Sequence, residues 1–309
     1  MNRMFRNLAG LTLLASGIMV AQVAQKTFDT PEAAVSALIA AVKSGNTDDM
    51  AAVLGGDMKD QFRTGDPALN DLDRAEFLQA AQTATKIEND TVPGRMIVYV
   101  GGNEWPFPAP LVKERDAWRF DGKAGRQEIL DRRIGHNEMH AVETCLGYVE
   151  AQIEYARTDH DGNGVLEFAR KLISSPGQHD GLYWRDDAAG QSPFGPSLSE
   201  SDRLVSEPGA GVTVPRTHRH RGYHFRVLTA QGGHAVGGAR DFLIDGHLLG
   251  GFGLIAWPRE YGTTGVQTFM VNQLGVVYAK DLGADTTTLA PAITAFDPDA
   301  SWKKLDPAN

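Results

Sequence analysis

Past residue 30 the apolar positions recur first every three or four residues and later every second residue, so helices precede strands. Thr30-Pro31-Glu32 supplies an N-cap, a proline at the first helical position and an acid in the first turn. Val35, Leu38, Ile39 and Val42 follow on one face, which predicts an amphipathic helix closed at Gly45. A second helix is expected from the Thr47-Asp48-Asp49 cap, and a third around Leu72, Ala75 and Leu78. Strand patterns then take over at Met96–Val100 and Ala117–Phe120. Between them, Pro106, Pro108 and Pro110 exclude a central strand because proline has no amide to donate to a ladder.

From Ala124 the helical period returns. Met139, Val142, Leu146, Val149, Ile153 and Ala156 alternate spacings of three and four, so one stripe of a long helix is apolar. Cys145 stands beside that stripe and reads as a small buried thiol rather than a reactive one. The remainder is β-rich: Tyr223–Leu228 and Gln267–Val271 alternate, and Asn272–Gly275 turns the second into Val276–Lys280. The run His247–Trp257 is strand-like but holds Gly250, Gly251 and Gly253, which predicts bulges or close backbone contact. Residues 185–221 are rich in Pro, Gly, Ser and charge and read as a surface excursion.

Helices followed by curved antiparallel strands resemble the cone-shaped fold of the nuclear transport factor 2 superfamily (NTF2-like, SnoaL-like). A long helix laid on an antiparallel meander resembles type IV pilin-like domains. The expected organisation is therefore α+β: a leader over 1–24, an NTF2-like domain over 25–123, and a pilin-like domain over 124–309. At 309 residues the chain has the length of two domains of ordinary size.

The leader is read from Arg3 and Arg6 ahead of an uncharged apolar run from Leu8 to Ala21, too short to span a bilayer. Cleavage is expected near Ala21 or Ala24, which makes the protein exported, periplasmic or extracellular, without stable membrane insertion afterwards. Cys145 is the only cysteine, so no intramolecular disulfide can form and packing must supply stability. With 39 acidic against 30 basic residues the net charge is −9, which repels nucleic acid and anionic lipid.

A set of short phrases occurs in order along the chain: Trp105-Pro106-Phe107-Pro108, Ala117–Asp121, Gly181-Leu182-Tyr183-Trp184, Leu228–Gly232, Ala256-Trp257-Pro258 with Tyr261-Gly262, Val271-Asn272, Lys280–Gly283 and Phe296–Asp299. In these the chain resembles the family of domain of unknown function 2950, over nearly all of the mature sequence. That resemblance implies company among exported bacterial proteins but no activity.

The sharpest chemical motif is Asp159-His160-Asp161-Gly162-Asn163-Gly164-Val165-Leu166-Glu167. Asp159, Asp161 and Asn163 stand at the first, third and fifth positions of a calcium loop, with glycine at the sixth. The twelfth position is Arg170, where a bidentate glutamate belongs, so Glu167 at the ninth is the substitute ligand. The competing reading is an Asp/Asn/Gly turn that ends the long helix. His218, His220 and His224 offer imidazoles for zinc, but Arg219 and Arg221 flank them and favour a solvated basic turn. No Gly-x-Ser-x-Gly elbow, His-Glu-x-x-His helix or phosphate loop is present.

No catalytic residue is assigned. The expectation is an exported cell-envelope protein acting as a non-enzymatic protein-interaction or structural module, with an envelope protein as partner and calcium as the one candidate cofactor. Trp105 and its prolines, and the turn Trp257-Pro258 to Tyr261, are the expected contact surfaces. The competing expectation is a small-molecule-binding protein or hydrolase-like enzyme using a pocket in the N-terminal cone.

Overall fold

The first helix forms where its capping residues dictate. Thr30 accepts a hydrogen bond from the Ala33 amide at 3.1 Å, Pro31 opens α1 (Pro31–Ser44), and Gly45 ends it at φ +67°, a left-handed conformation glycine adopts without strain. These coordinates are a computed structural model that describes residues 24–62, 67–160, 162–185, 190–195 and 222–305. All but the last residue of the expected leader lie outside the described residues. So do Asp161, His218, His220 and most of the expected excursion 185–221.

The protein is α+β and divides into two units, Met1–Arg126 and Gln127–Asn309. In the first, α1 is followed by α2 (Thr47–Leu54), a 3-10 segment over Gly56–Phe62 and α3 (Pro67–Thr83). An antiparallel sheet follows: β1 (Thr85–Asn89), β2 (Arg95–Val100), β3 (Trp105–Pro106), β4 (Leu111–Glu114) and β5 (Ala117–Phe120). The strand order is β1-β2-β4-β5, with β3 pairing β2. Leu38, Leu54, Met58, Val98, Leu111 and Phe120 are buried in this unit. The proline-rich stretch contributes only a two-residue strand, since Pro106, Pro108 and Pro110 have no amide to donate to a ladder. Strand β1 escaped the sequence pattern because Ile87 is its single apolar residue and most of its side chains face solvent.

Helix α4 (Gly122–Tyr155) leads into the second unit. There the main sheet is β14-β13-β12-β11-β6, built from β6 (Tyr223–Leu228), β11 (Gly253–Pro258), β12 (Gln267–Asn272), β13 (Tyr278–Asp281) and β14 (Lys303–Lys304), all antiparallel. Two short hairpins precede β11: β7 (Ala230–Gln231) with β8 (Arg240–Asp241), and β9 (Leu243–Ile244) with β10 (His247–Leu248). A short helix, α5 (Thr286–Ala292), follows β13.

Both faces of this sheet are covered, which is why β11 and β12 read as nearly continuous apolar runs. Leu254, Ala256, Phe269, Val271 and Ala279 join Ala141, Cys145, Tyr148, Val149 and Tyr155 of α4 in one cluster. The alternate residues Ile255 and Met270 pack with Ala290, Phe296 and Trp302 in a second cluster. Phe194, within the stretch expected to be a surface excursion, is instead fully buried in the first cluster.

Two polar side chains of α4 cross this core. Tyr148 donates to the Gly253 carbonyl at 3.0 Å and accepts from Gln152 Nε2 at 2.9 Å. Gln152 also donates to the Ala169 carbonyl and accepts from the Ala169 amide, both at 2.8 Å, so one buried amide satisfies a strand-like backbone segment in both senses. Replacing Tyr148 by Phe is expected to cost about 1–3 kcal/mol, because it leaves buried partners unsatisfied without changing packing volume. Urea unfolding followed by far-UV circular dichroism would read this as a lower midpoint at unchanged slope.

Candidate functional site

The Asp159 loop closes on itself. Asp159 accepts from the amides of Gly162 (2.8 Å), Asn163 (3.2 Å) and Gly164 (2.9 Å), using both carboxylate oxygens. Asn163 Oδ1 accepts from the Val165 amide at 2.7 Å, while its Nδ2 donates to Glu167 Oε1 at 3.0 Å. Glu167 is nearly buried and also binds His247 Nδ1 at 2.8 Å and the Leu248 amide at 3.1 Å. Burial by itself would raise the Glu167 pKa, but the hydrogen bonds from His247, Asn163 and Leu248 outweigh it and hold the carboxyl below its ordinary value. Arg170, at the twelfth loop position, donates to the Gly246 carbonyl at 3.0 Å.

The loop thus brings Asp159, Asn163 and Glu167 together as a hydrogen-bonded turn docked on β10, and calcium would have to compete with these protein donors. Among the described residues no group of three or more His, Cys, Asp or Glu side chains could hold a metal ion. His224 is half-buried beside Trp257, their ring centres 5.3 Å apart; burial and the Arg259 charge both lower its pKa.

In the first unit, a cleft of about 150 Å³ is lined by Leu38, Val42, Met50, Leu54, Phe77 and Phe107, with Gln61, Asp73 and Arg74 at its polar end. Ligand sites commonly span roughly 300–1,000 Å³. Phe107, at this cleft, meets Phe77 of α3 at 5.8 Å and Phe120 of β5 at 5.9 Å between ring centres. Trp105 lies edge-on to Phe107 and is 43% exposed. Trp257 is half-buried beneath the Arg226 guanidinium, and the Tyr261 hydroxyl donates to Asp281 at 3.2 Å.

A larger open surface than this cleft lies in the second unit, on the flank of α4. The buried face of the helix runs through Ala141, Cys145, Tyr148, Gln152 and Tyr155, turned by roughly one residue, about 100°, from the apolar stripe legible in the sequence. As a result Val149 is buried and Val142 half-buried, whereas Met139, Leu146 and Ile153 are 57%, 37% and 47% exposed. These three residues stand seven apart, on one line of the helix.

At the Met139 end the line opens into a groove of about 700 Å³. Gly135, Met139 and Val142 form one wall, while Phe269, Ala279 and Leu305 supply apolar surface from the sheet side. Strand register explains the groove: Phe225, Ala256, Phe269, Ala279 and Lys303 form one row across five strands, ending in an exposed lysine. Glu138 anchors this end of α4 by accepting from the amides of Val266 (2.8 Å) and Gln267 (2.9 Å), and Asn137 donates to the Thr264 carbonyl at 2.8 Å.

A two-unit α+β protein with a long helix against an antiparallel sheet is thus the class these elements define. The chain belongs to the DUF2950 family, described as a protein of unknown function, whose model matches residues 25–305. No curated protein and no solved structure matches it. Among the described residues no helix is long and apolar enough to cross a membrane.

Two outcomes follow from this geometry. Asp159→Ala is expected to lower stability by about 1–2 kcal/mol, the scale of a lost capping carboxylate, equally in calcium and in chelator; a melting temperature of the parent chain that rises with millimolar calcium would instead favour the calcium loop. Cys145 is completely buried and burial pushes its thiol up to about 12. A thiol reagent at neutral pH should therefore leave it unlabelled until denaturant is added, as absorbance of the released chromophore would record.

Proposed function

We propose that this chain is an exported cell-envelope protein that acts by non-enzymatic contact with another protein. In this reading residues 25–123 form an NTF2-like cone that keeps only a small cleft, and the second unit is a pilin-like domain presenting α4 and its sheet. The observation that carries the reading is the exposed line Met139, Leu146 and Ile153 beside an apolar groove. Single exposed apolar residues are ordinary, but a row of three continuing into a concave apolar surface is the character of a contact site.

The small cleft in the first unit supports the same side of the choice, since its volume lies below that of common ligand sites. Export is supported by the leader-like residues 1–24, and contact with nucleic acid is disfavoured by the net charge of −9. The expected contact surface also moves from Trp257 to the α4 flank, because Trp257 is half-buried against His224 and Arg226, while Trp105 stays 43% exposed.

A photo-crosslinking amino acid at Leu146, expressed in cells and activated before envelope fractionation, tests the reading. It should yield a discrete protein adduct, while the same probe at the exposed Asp116 should not. Recovery of the chain alone from Leu146 and Ile153 probes would end it.

A further inference from the structure

The α4 flank carries information about what it binds, on the reading that it is a contact surface at all. With Met139, Leu146 and Ile153 as heptad a positions, the d positions are Val142 and Val149, and the e positions are Glu143 and Glu150. The g positions, Cys145 and Gln152, are fully buried in the unit's own core. The helix therefore offers half a coiled-coil seam: an apolar line with an acidic margin on its open side and the protein body on the other.

Charge along this stretch has one sign. From Asn137 to Tyr155 the helix contains Glu138, Glu143, Glu150 and Glu154 and no lysine or arginine. Glu138 is held by backbone amides, and Glu143 lies 3.4 Å from His140 Nδ1. Glu150 and Glu154 pair with no cation among the described residues. The groove beyond Met139 carries Lys280 and Lys303 against Glu138 and Asp281, two charges of each sign, so the unbalanced acidic bias belongs to the helix stretch beyond it.

We infer that the flank receives an amphipathic helix of a partner protein, with Lys or Arg along the edge that meets Glu143 and Glu150 and a large apolar side chain seated in the groove between Met139, Val142, Phe269 and Leu305. Charge complementarity selects this occupant. A second copy of the chain packed through the same stretch would set these glutamates against one another, and an anionic lipid surface would meet the same repulsion. The groove supplies the concave pocket in which interface anchors concentrate binding energy.

The test uses the purified chain and three labelled synthetic helices of about 21 residues, three heptads each. The first has Leu at a and d, Lys at e and g, and one Trp in the seam. The second is its Glu-flanked twin, and the third is a permutation of the first with the same charge but no heptad. Fluorescence anisotropy should show the Lys-flanked helix binding at least about ten-fold tighter than the other two, with affinity falling as salt rises. L146D should weaken that binding by about ten-fold or more, and E143K/E150K should transfer preference to the Glu-flanked twin. These positions are exposed in part or in full, and unchanged melting curves would exclude a folding defect; the charge-swap arm stands even if L146D misfolds.

Equal binding of the permuted helix, or of the Glu-flanked twin, would overturn the inference. So would sedimentation showing a dimer of the parent chain that L146D dissociates, or co-sedimentation with phosphatidylglycerol vesicles that L146D abolishes. A protein adduct at Leu146 in cells without binding of the Lys-flanked helix leaves the contact surface standing and removes the basic helix. Absence of both removes the surface as well.

Discussion

The second unit depends on two polar side chains in the middle of its core. A helix laid on a sheet is held by apolar area, but area is non-directional and permits the helix to slide or roll. Gln152 and Tyr148 remove that freedom, because each has to find specific backbone partners once water is excluded. Gln152 reads both the amide and the carbonyl of Ala169, and Tyr148 fixes α4 over Gly253 at the start of β11. The rotation of α4 that hides Cys145 and presents Leu146 follows from these bonds as much as from packing.

The outer contacts agree with that rotation. Glu138 and Asn137 bind the backbone around Thr264 to Gln267, so the helix is tied to the loop before β12 at one end and to the Ala169 segment near the other. Glu167, gripping His247 and the Leu248 amide, ties the loop after α4 to β10. The Asp159 turn sits between these attachments, which gives its oxygens structural partners whatever else they bind.

The α4 flank is what remains when the helix satisfies its core. A helix with apolar residues on more than a third of its circumference cannot bury all of them against one sheet. Here the small and aromatic residues Ala141, Cys145, Tyr148 and Tyr155 take the interior, and Met139, Leu146 and Ile153 are left outside beside the groove formed where β12 and β13 run out to Lys303. An apolar row and a concave pocket placed side by side by one helix rotation form a coherent surface rather than scattered exposure.

By itself the sequence determined the class and the local elements. Capping at Thr30 and Gly45, the alternation of β6 and β12, the turn at Gly275 and the length of α4 are set by residues within a few positions of each other, and local backbone and side-chain physics decides them. The ordered phrases from Trp105 to Asp299 were enough to mark the family. Tertiary structure alone decided which face of α4 is inside, because Gln152 looks polar in sequence and is fully buried, while Leu146 looks like core and is not. It likewise decided that Phe194 is core, that β1 exists, and that Glu167 turns to His247 eighty residues away. Such choices rest on partners far apart in the chain, whose hydrogen bonds and volumes exist only once the elements meet.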